Sequence, residues 1–280
     1  MAEIQAPSKY FDEATTVEAY LETFKRWHET QHIAEKKFLS GVWFRGNGKV
    51  YPVPLCPGVY RDGFTAEAKL LRYGSDDEEK RLNLERQMLS EFCTSGAFLL
   101  NASDITDMYF TAQHYGMPTR LLDWTTNPLA GLFFAVEDTD QHGEDGEVFV
   151  MEAKGILPPV PKSAKQDEAL WNVVGMRHPY VTDAIRPSFW HDPKKYRPPL
   201  IIPVRPDNRP GRIGQQSSCF TLHMHKSKPC NNGTLAKIKI PSRAKGGLLN
   251  ELHRMNINRF TIFTDLDSLS KDIKRVWKIK

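Results

Sequence analysis

A short stretch of this chain is unusually rich in side chains that can do chemistry. Gln113, His114 and Tyr115 are followed by Arg120, then by Asp123, Trp124 and Thr125. An Asp beside a breaking glycosidic bond stabilises the oxocarbenium-like charge that develops there. An Arg grips a phosphate or ribose in a fork geometry that Lys does not reproduce. Tyr and Trp stack on a base, and a His takes or gives a proton near neutral pH. Each type also has a structural use. His114 can complement a helix C-terminus, Gln113 and Thr125 can cap backbone, and Trp124 and Tyr115 can fill a core. Asp123 can likewise form a buried ion pair with an Arg such as Arg45.

No standard motif settles the choice. The sequence has no Walker A loop, no G-x-G-x-x-G after a strand, no G-x-S-x-G elbow and no H-E-x-x-H. Cys219, His223, His225 and Cys230 have metal-ligand types, but their gaps of 3, 1 and 4 residues match no common zinc pattern. No metal is therefore expected. The four cysteines form no C-x-x-C pair and no disulfide framework. With no secretory signal at Met1–Thr16, the expectation is a reduced, cytoplasmic protein.

The elements that must position these residues follow from periodicity. Val17, Leu21, Phe24 and His28 recur at helical spacing and predict a helix over 15–38. Val42 to Gly46 predicts a short strand. Leu82, Glu85, Leu89 and Phe92 predict a helix over about 78–95, closed by Gly96. Ile105, Met108, Tyr109 and Ala112 predict another, with Ser103 as N-cap and Gly116 and Pro118 as its stop. Thr119 to Trp124 then reads as a strand, in which Thr119, Leu121 and Asp123 share the face opposite Arg120, Leu122 and Trp124. By the same alternation Arg45 shares a face with Trp43 and turns away from Val42 and Phe44. Asn127 caps a helix that opens on Pro128 and carries Leu129, Leu132, Phe133 and Val136 as its stripe.

Strands are predicted at Gly146–Ala153, Leu200–Val204, Gln215–Met224, Leu235–Ile240 and Arg259–Phe263. Helices are predicted around 248–255 and from Leu266, and residues 155–198 read as an irregular insertion. Helices come mostly first and strands mostly later. That order predicts an α+β single domain with helices packed on an antiparallel or mixed sheet, a helical segment at 1–40 and the main domain at 41–280.

The chain has 280 residues, 40% of them hydrophobic and 26% charged, which excludes a mainly disordered protein. No charge-free run exceeds 13 residues, and a membrane span needs about 20, so no membrane partner is expected. A mean hydropathy of −0.49 agrees with that. The net charge of +4 is unevenly spread. Residues 187–280 carry 19 Lys and Arg against 6 Asp and Glu, or +13, which leaves −9 on residues 1–186. A basic third of this kind points to nucleic acid, a nucleotide pyrophosphate or another acidic surface, with Lys237, Lys239 and Arg243 as candidate contacts. The alternative is that it neutralises the acidic part within one fold.

The segment Gln113 to Ala135, QHYGMPTRLLDWTTNPLAGLFFA, resembles the signature of the FRG domain family. The Phe-Arg-Gly motif that names the family is matched by Phe44-Arg45-Gly46. Similarity extends to Tyr60-Arg61, to Gln216–His223 and to Phe263–Ile273, covering most of residues 41–275. Ser218 stands where the family usually has Gly, and Thr264 where it usually has Pro. A second, shorter resemblance is to ADP-ribosyltransferases. Arg45-Gly46 at a strand end is similar to their NAD-holding first strand, and Asp123-Trp124-Thr125 before a small-residue helix is similar to their second. Their third element, a Glu on a later strand, has no counterpart. Gln216 stands in that place, and Asp265 and Asp267 are substitutes.

The second resemblance implies an ADP-ribosyltransferase-like fold and an enzyme that uses NAD as substrate to modify a nucleic acid or a protein. Arg45 and Gly46 would then hold NAD, with Gln113, Arg120, Asp123 and Trp124 lining its site. Thr125 and Tyr115 would shape the nicotinamide pocket, and Gln216 or Asp267 would orient the ribose. Two alternatives stand beside it. One is a non-catalytic nucleic-acid or nucleotide-binding module. The other is a metal-free nuclease with His114 as its base and Arg120 on the phosphate.

Overall fold

The computed structural model describes residues 6–31, 41–100, 104–153, 173–185, 201–206, 217–224 and 235–277. Eight strands form one sheet: β1 (Asp12–Glu13), β2 (Val42–Asn47), β3 (Leu121–Thr125), β4 (Gly146–Glu152), β5 (Val174–Gly175), β6 (Ile201–Arg205), β7 (Ser218–His223) and β8 (Leu235–Ile240). Their order across the sheet is β1-β8-β4-β2-β3-β7-β6-β5. The inner pairs are antiparallel, and the outermost pairs β1–β8 and β5–β6 are parallel, so the sheet is mixed. This is the predicted α+β arrangement.

Helices cover one face in two groups, because each strand alternates its apolar side chains between faces. Over β2, β4 and β8 lie α1 (Val17–Thr30), α5 (Pro128–Val136) and α7 (Ser242–Arg254). Val42, Phe44, Val148, Val150, Ile238 and Ile240 meet these helices in one core. Over β3, β6 and β7 lie α4 (Ile105–His114) and α6 (Pro179–Ile185), whose Tyr109, Phe110, Val181 and Ala184 pack with Leu121, Ile202, Val204, Phe220 and Leu222. Trp43, Leu122, Trp124, Phe149 and Met151 fill a third core on the opposite face. The helices α2 (Asp62–Lys69) and α3 (Asp77–Ser95) follow β2. The described part of residues 1–31 belongs to the first core: β1 pairs with β8, and the buried Tyr20 hydroxyl donates to the carbonyl of Pro128 at 3.0 Å.

Most helix boundaries follow the predicted caps. Asn127 accepts from the backbone of Leu129 and Ala130 at the start of α5, and Gly96 follows α3. Asp104, not Ser103, caps α4 by accepting from Asp107 N–H at 2.9 Å; Ser103 lies outside the described residues. Residues 259–263, predicted as a strand, form the short helix α8 (Arg259–Phe263). Asn258 and Thr261 make a reciprocal capping box there, and local hydrogen bonding of this kind overrides a short apolar run whose period is ambiguous. Thr264 ends α8 in the left-handed region at φ 51°, after which α9 (Leu266–Val276) begins. The described part of the 155–198 insertion is not irregular, since it contains β5 and α6.

Candidate functional site

The central strands β2 and β3 are paired at one position, Phe44 with Thr125, whereas β2 pairs with β4 along its whole length. Beyond that point the two strands part. The split falls where the two helical groups also part, with α5 on one side and α4 on the other. A cavity of about 330 Å³ opens there, lined by Phe44, Arg45, Gly46, Gln113, His114, Asp123, Trp124, Thr125, Phe134, Ser218 and Phe263. Its volume lies at the lower end of the range of ligand sites.

Arg45 spans the gap. Its Nη1 donates to the backbone carbonyl of Asp123 at 2.9 Å, not to the carboxylate, so the buried ion pair is not what forms. The guanidinium thus occupies the place of a missing ladder bond. Burial draws the Arg45 pKa down, against the pull of Asp123, and Arg61 adds like charge to it. Asp123 keeps accessible surface on the cleft floor, yet protein surrounds it closely enough that burial pushes its carboxyl above the usual range. Arg45 and a hydrogen bond from Gln113 oppose that rise. Gln113 Nε2 donates to Asp123 Oδ2 at 2.8 Å, while its Oε1 accepts from Thr119 Oγ1 at 2.5 Å. Thr119 therefore sets the amide so that its NH2 end faces the carboxylate. The five residues between Gln113 and Thr119 are a helix end and a turn, which is how these side chains meet.

The glycine of the motif has a packing reason. A Cβ on Gly46 would lie 2.1 Å from the carbonyl oxygen of Gly131 and 2.6 Å from the nitrogen of Ala135, both backbone atoms of α5. A Cβ on Gly131 would in turn lie 2.7 Å from Cβ of Phe44. Two glycines thus bring α5 onto β2. That contact holds Phe134 at the cleft, where its ring meets Phe263 edge-on with centroids 5.8 Å apart.

Other predicted residues fall elsewhere. Arg120 does not reach the cleft. It is sealed just before β3 begins, donating through Nε to Glu85 at 2.8 Å and through Nη2 to the carbonyl of Ala184 at 2.9 Å. Its backbone N–H also donates to Glu85. Arg120 precedes β3, so the predicted alternation does not place it; its bonds to Glu85, Tyr109 and Ala184 do. Tyr115 is 69% exposed and lies against Phe92 outside the cavity, so it shapes no nicotinamide pocket. Its position as the C-cap of α4 turns it outward.

Asp267 sits in the first turn of α9, exposed and paired with Lys271 at 2.6 Å, away from the cavity wall. Trp124 touches the cavity, but its indole N–H donates to Thr221 Oγ1 at 3.1 Å on the opposite face. Thr125 Oγ1 accepts from Asn127 N–H at 3.0 Å, a capping role. His114 lines the cavity. Gln216 lies outside the described residues. The aromatic walls Phe44, Phe134 and Phe263 were not singled out from sequence, because apolar residues at helix and strand spacing read as core.

Around the basic third, the three candidate contacts have partners of their own. Lys239 pairs with Asp145 at 3.0 Å and with Glu13 at 3.8 Å, and Arg243 pairs with Glu13 at 2.5 Å. Lys237 lies over the Tyr10 ring at 4.4 Å. At these positions the basic part meets the acidic part of the same fold. Among the described residues no group of three or more His, Cys, Asp or Glu could hold a metal ion. His223, from the predicted metal-like cluster, is buried with Nε2 2.9 Å from Thr221 Oγ1; His225 and Cys230 lie outside the described residues. No described helix is long and apolar enough to cross a membrane.

Neither a curated protein nor a solved structure matches the chain. The family model of the FRG domain does match, over residues 40–144. That span contains β2, α4, β3 and α5, and with them Arg45, Gly46, Gln113 and Asp123. This protein therefore carries an FRG domain, and the cleft is built almost wholly from it.

Proposed function

We propose that the cleft binds NAD and that the protein transfers ADP-ribose from it to a protein or nucleic-acid acceptor. The observation that carries this reading is the placement of one carboxylate, Asp123, and one guanidinium, Arg45, in a single aromatic-walled cleft at the split of the sheet. In the reaction the bond between nicotinamide N1 and ribose C1′ breaks, and its electron pair leaves with nicotinamide. The positive charge that develops at C1′ is what a carboxylate stabilises. The acceptor then forms the new bond to C1′ and gives up its proton, so that NAD and acceptor yield ADP-ribosyl-acceptor, nicotinamide and a proton. Asp123 takes the part of the Glu that has no counterpart at the Gln216 position. Gln113, set by Thr119, orients it, and Arg45 neutralises phosphate.

The test is release of labelled nicotinamide from NAD in the presence of mixed protein and nucleic-acid acceptors. Wild type is expected to release it, and Asp123→Asn and Arg45→Ala to be slower by on the order of a hundredfold or more. A wild type as silent as Arg45→Ala across all acceptors ends the reading.

A further inference from the structure

A second concavity of about 500 Å³ adjoins the first and shares Arg45, Gly46 and Phe134 with it. Its outer wall is the loop after β2, with Tyr51 and the end of that connection at Arg61. Arg61 is exposed and lies close enough for its charge to act on both Arg45 and Asp123. Its Nε donates to the carbonyl of Cys56 at 3.3 Å, and the residue lines the second concavity. Two cations, Arg45 at the junction and Arg61 on the wall of the second lobe, therefore line the same concavity, and each lobe alone is of ligand size.

Three further features mark the second lobe as built for a flat apolar group flanked by anionic charge. Tyr51 and Val53, exposed by 40% and 41%, line its mouth on one loop, with Val50 exposed beside them. Tyr51 lines this lobe and carries Lys49 over one face of its ring at 5.6 Å. Gln141 Oε1 in the lobe wall and Arg45 Nε at the junction are buried without a hydrogen-bond partner among the described residues.

We infer that the ligand is a dinucleotide joined by a pyrophosphate, with the pyrophosphate between Arg45 and Arg61 and its second nucleoside in the lobe walled by Tyr51. This rests on the proposed NAD reading and deepens it. A mononucleotide fills one lobe and leaves the other cation without an anion. A dinucleotide places a charge of about −2 against two guanidinium groups and a ring system in each lobe.

The experiment is calorimetric titration of the full chain with ADP-ribose, AMP and inorganic pyrophosphate, using wild type, Arg61→Ala and Tyr51→Ala. Both substituted side chains are exposed, and a thermal midpoint for each variant checks that it folds. ADP-ribose is expected to bind wild type at least tenfold more tightly than AMP or pyrophosphate. Each substitution is expected to weaken ADP-ribose about tenfold or more, and the Arg61→Ala variant to lose part of the salt dependence. Equal binding of ADP-ribose and AMP, or ADP-ribose binding unchanged in both variants, overturns the inference. NAD turnover with an unchanged KM in both variants also overturns it while sparing the transferase reading. ADP-ribose binding that needs Arg61 in a protein without NAD turnover sustains the two-lobed site and removes the transferase reading instead.

Discussion

Asp123 on β3 and Arg120 just before it lie three positions apart and have opposite fates. Asp123 sits on the cleft floor with its pKa lifted by burial. Its folded form thus binds the proton more readily than the unfolded chain. Its stabilising contribution is full below the unfolded pKa of about 3.9 and is lost as pH rises through the higher folded value. At neutral pH the ionised carboxylate is therefore a cost to the fold. Asp123→Asn keeps an acceptor for Gln113 and should match or exceed the wild-type thermal midpoint at pH 7 while nicotinamide release collapses. A clear drop in midpoint would show that the carboxylate is structural. The rate of release should also rise with pH through an inflection above the ordinary carboxylate range, and that inflection should vanish when Asp123 is replaced. Arg120 is the converse case. Arg120→Met strands the Glu85 carboxylate in a dry core, and about 3–5 kcal/mol of stability should be lost in denaturant unfolding. Loss under 1 kcal/mol would mean that the Arg120–Glu85 pair does not hold these elements together.

At the scale of elements, the β2–α5 contact decides whether the cleft exists. Gly46→Ala introduces a methyl against two backbone atoms of α5, and backbone does not yield as a flexible side-chain tip does. The helix must move, at about 1–3 kcal/mol. Phe134 moves with it, so ADP-ribose binding should weaken together with stability. A variant with wild-type midpoint and wild-type binding would mean that the approach of α5 is looser than these distances imply. The partial pairing of β2 and β3 has the same logic. One ladder position keeps the strands in one sheet, and the Arg45 side chain closes the rest, which leaves a gap that a ligand can enter.

Across the whole molecule, the charge asymmetry is largely spent internally where it is described. Lys239 and Arg243 pair with Glu13 and Asp145, tying β8 and the start of α7 to β1 and the turn before β4. Reversing Lys237, Lys239 and Arg243 together should lower the thermal midpoint by a few degrees at low salt, since exposed pairs contribute up to about 1 kcal/mol each. The loss should shrink as salt rises through the screening range. An unchanged midpoint at low salt would free these cations for an outside partner.

What the sequence determined by itself was local. Helix caps at Asn127 and Gly96 and the α+β class follow from neighbours within a few residues. The gathering of chemistry-bearing residues around 113–125 and at Arg45-Gly46 was legible for the same reason, because the segment is dense and strand alternation assigns its faces. Tertiary structure decided the rest. Whether Tyr115 turns inward depends on what lies beyond α4, and it faces Phe92 and solvent. That Phe134 and Phe263 wall a cleft depends on α5 and α8, more than a hundred residues apart, meeting edge to edge. The helix at 259–263 needed only its capping box, but a five-residue apolar run has no period long enough to show it. The partners of Arg45 and Arg120 depend on which strands become neighbours. Side-chain direction is written in the strand, whereas what stands opposite is set by sheet order, and β2-β3-β7 is an order that no local spacing encodes.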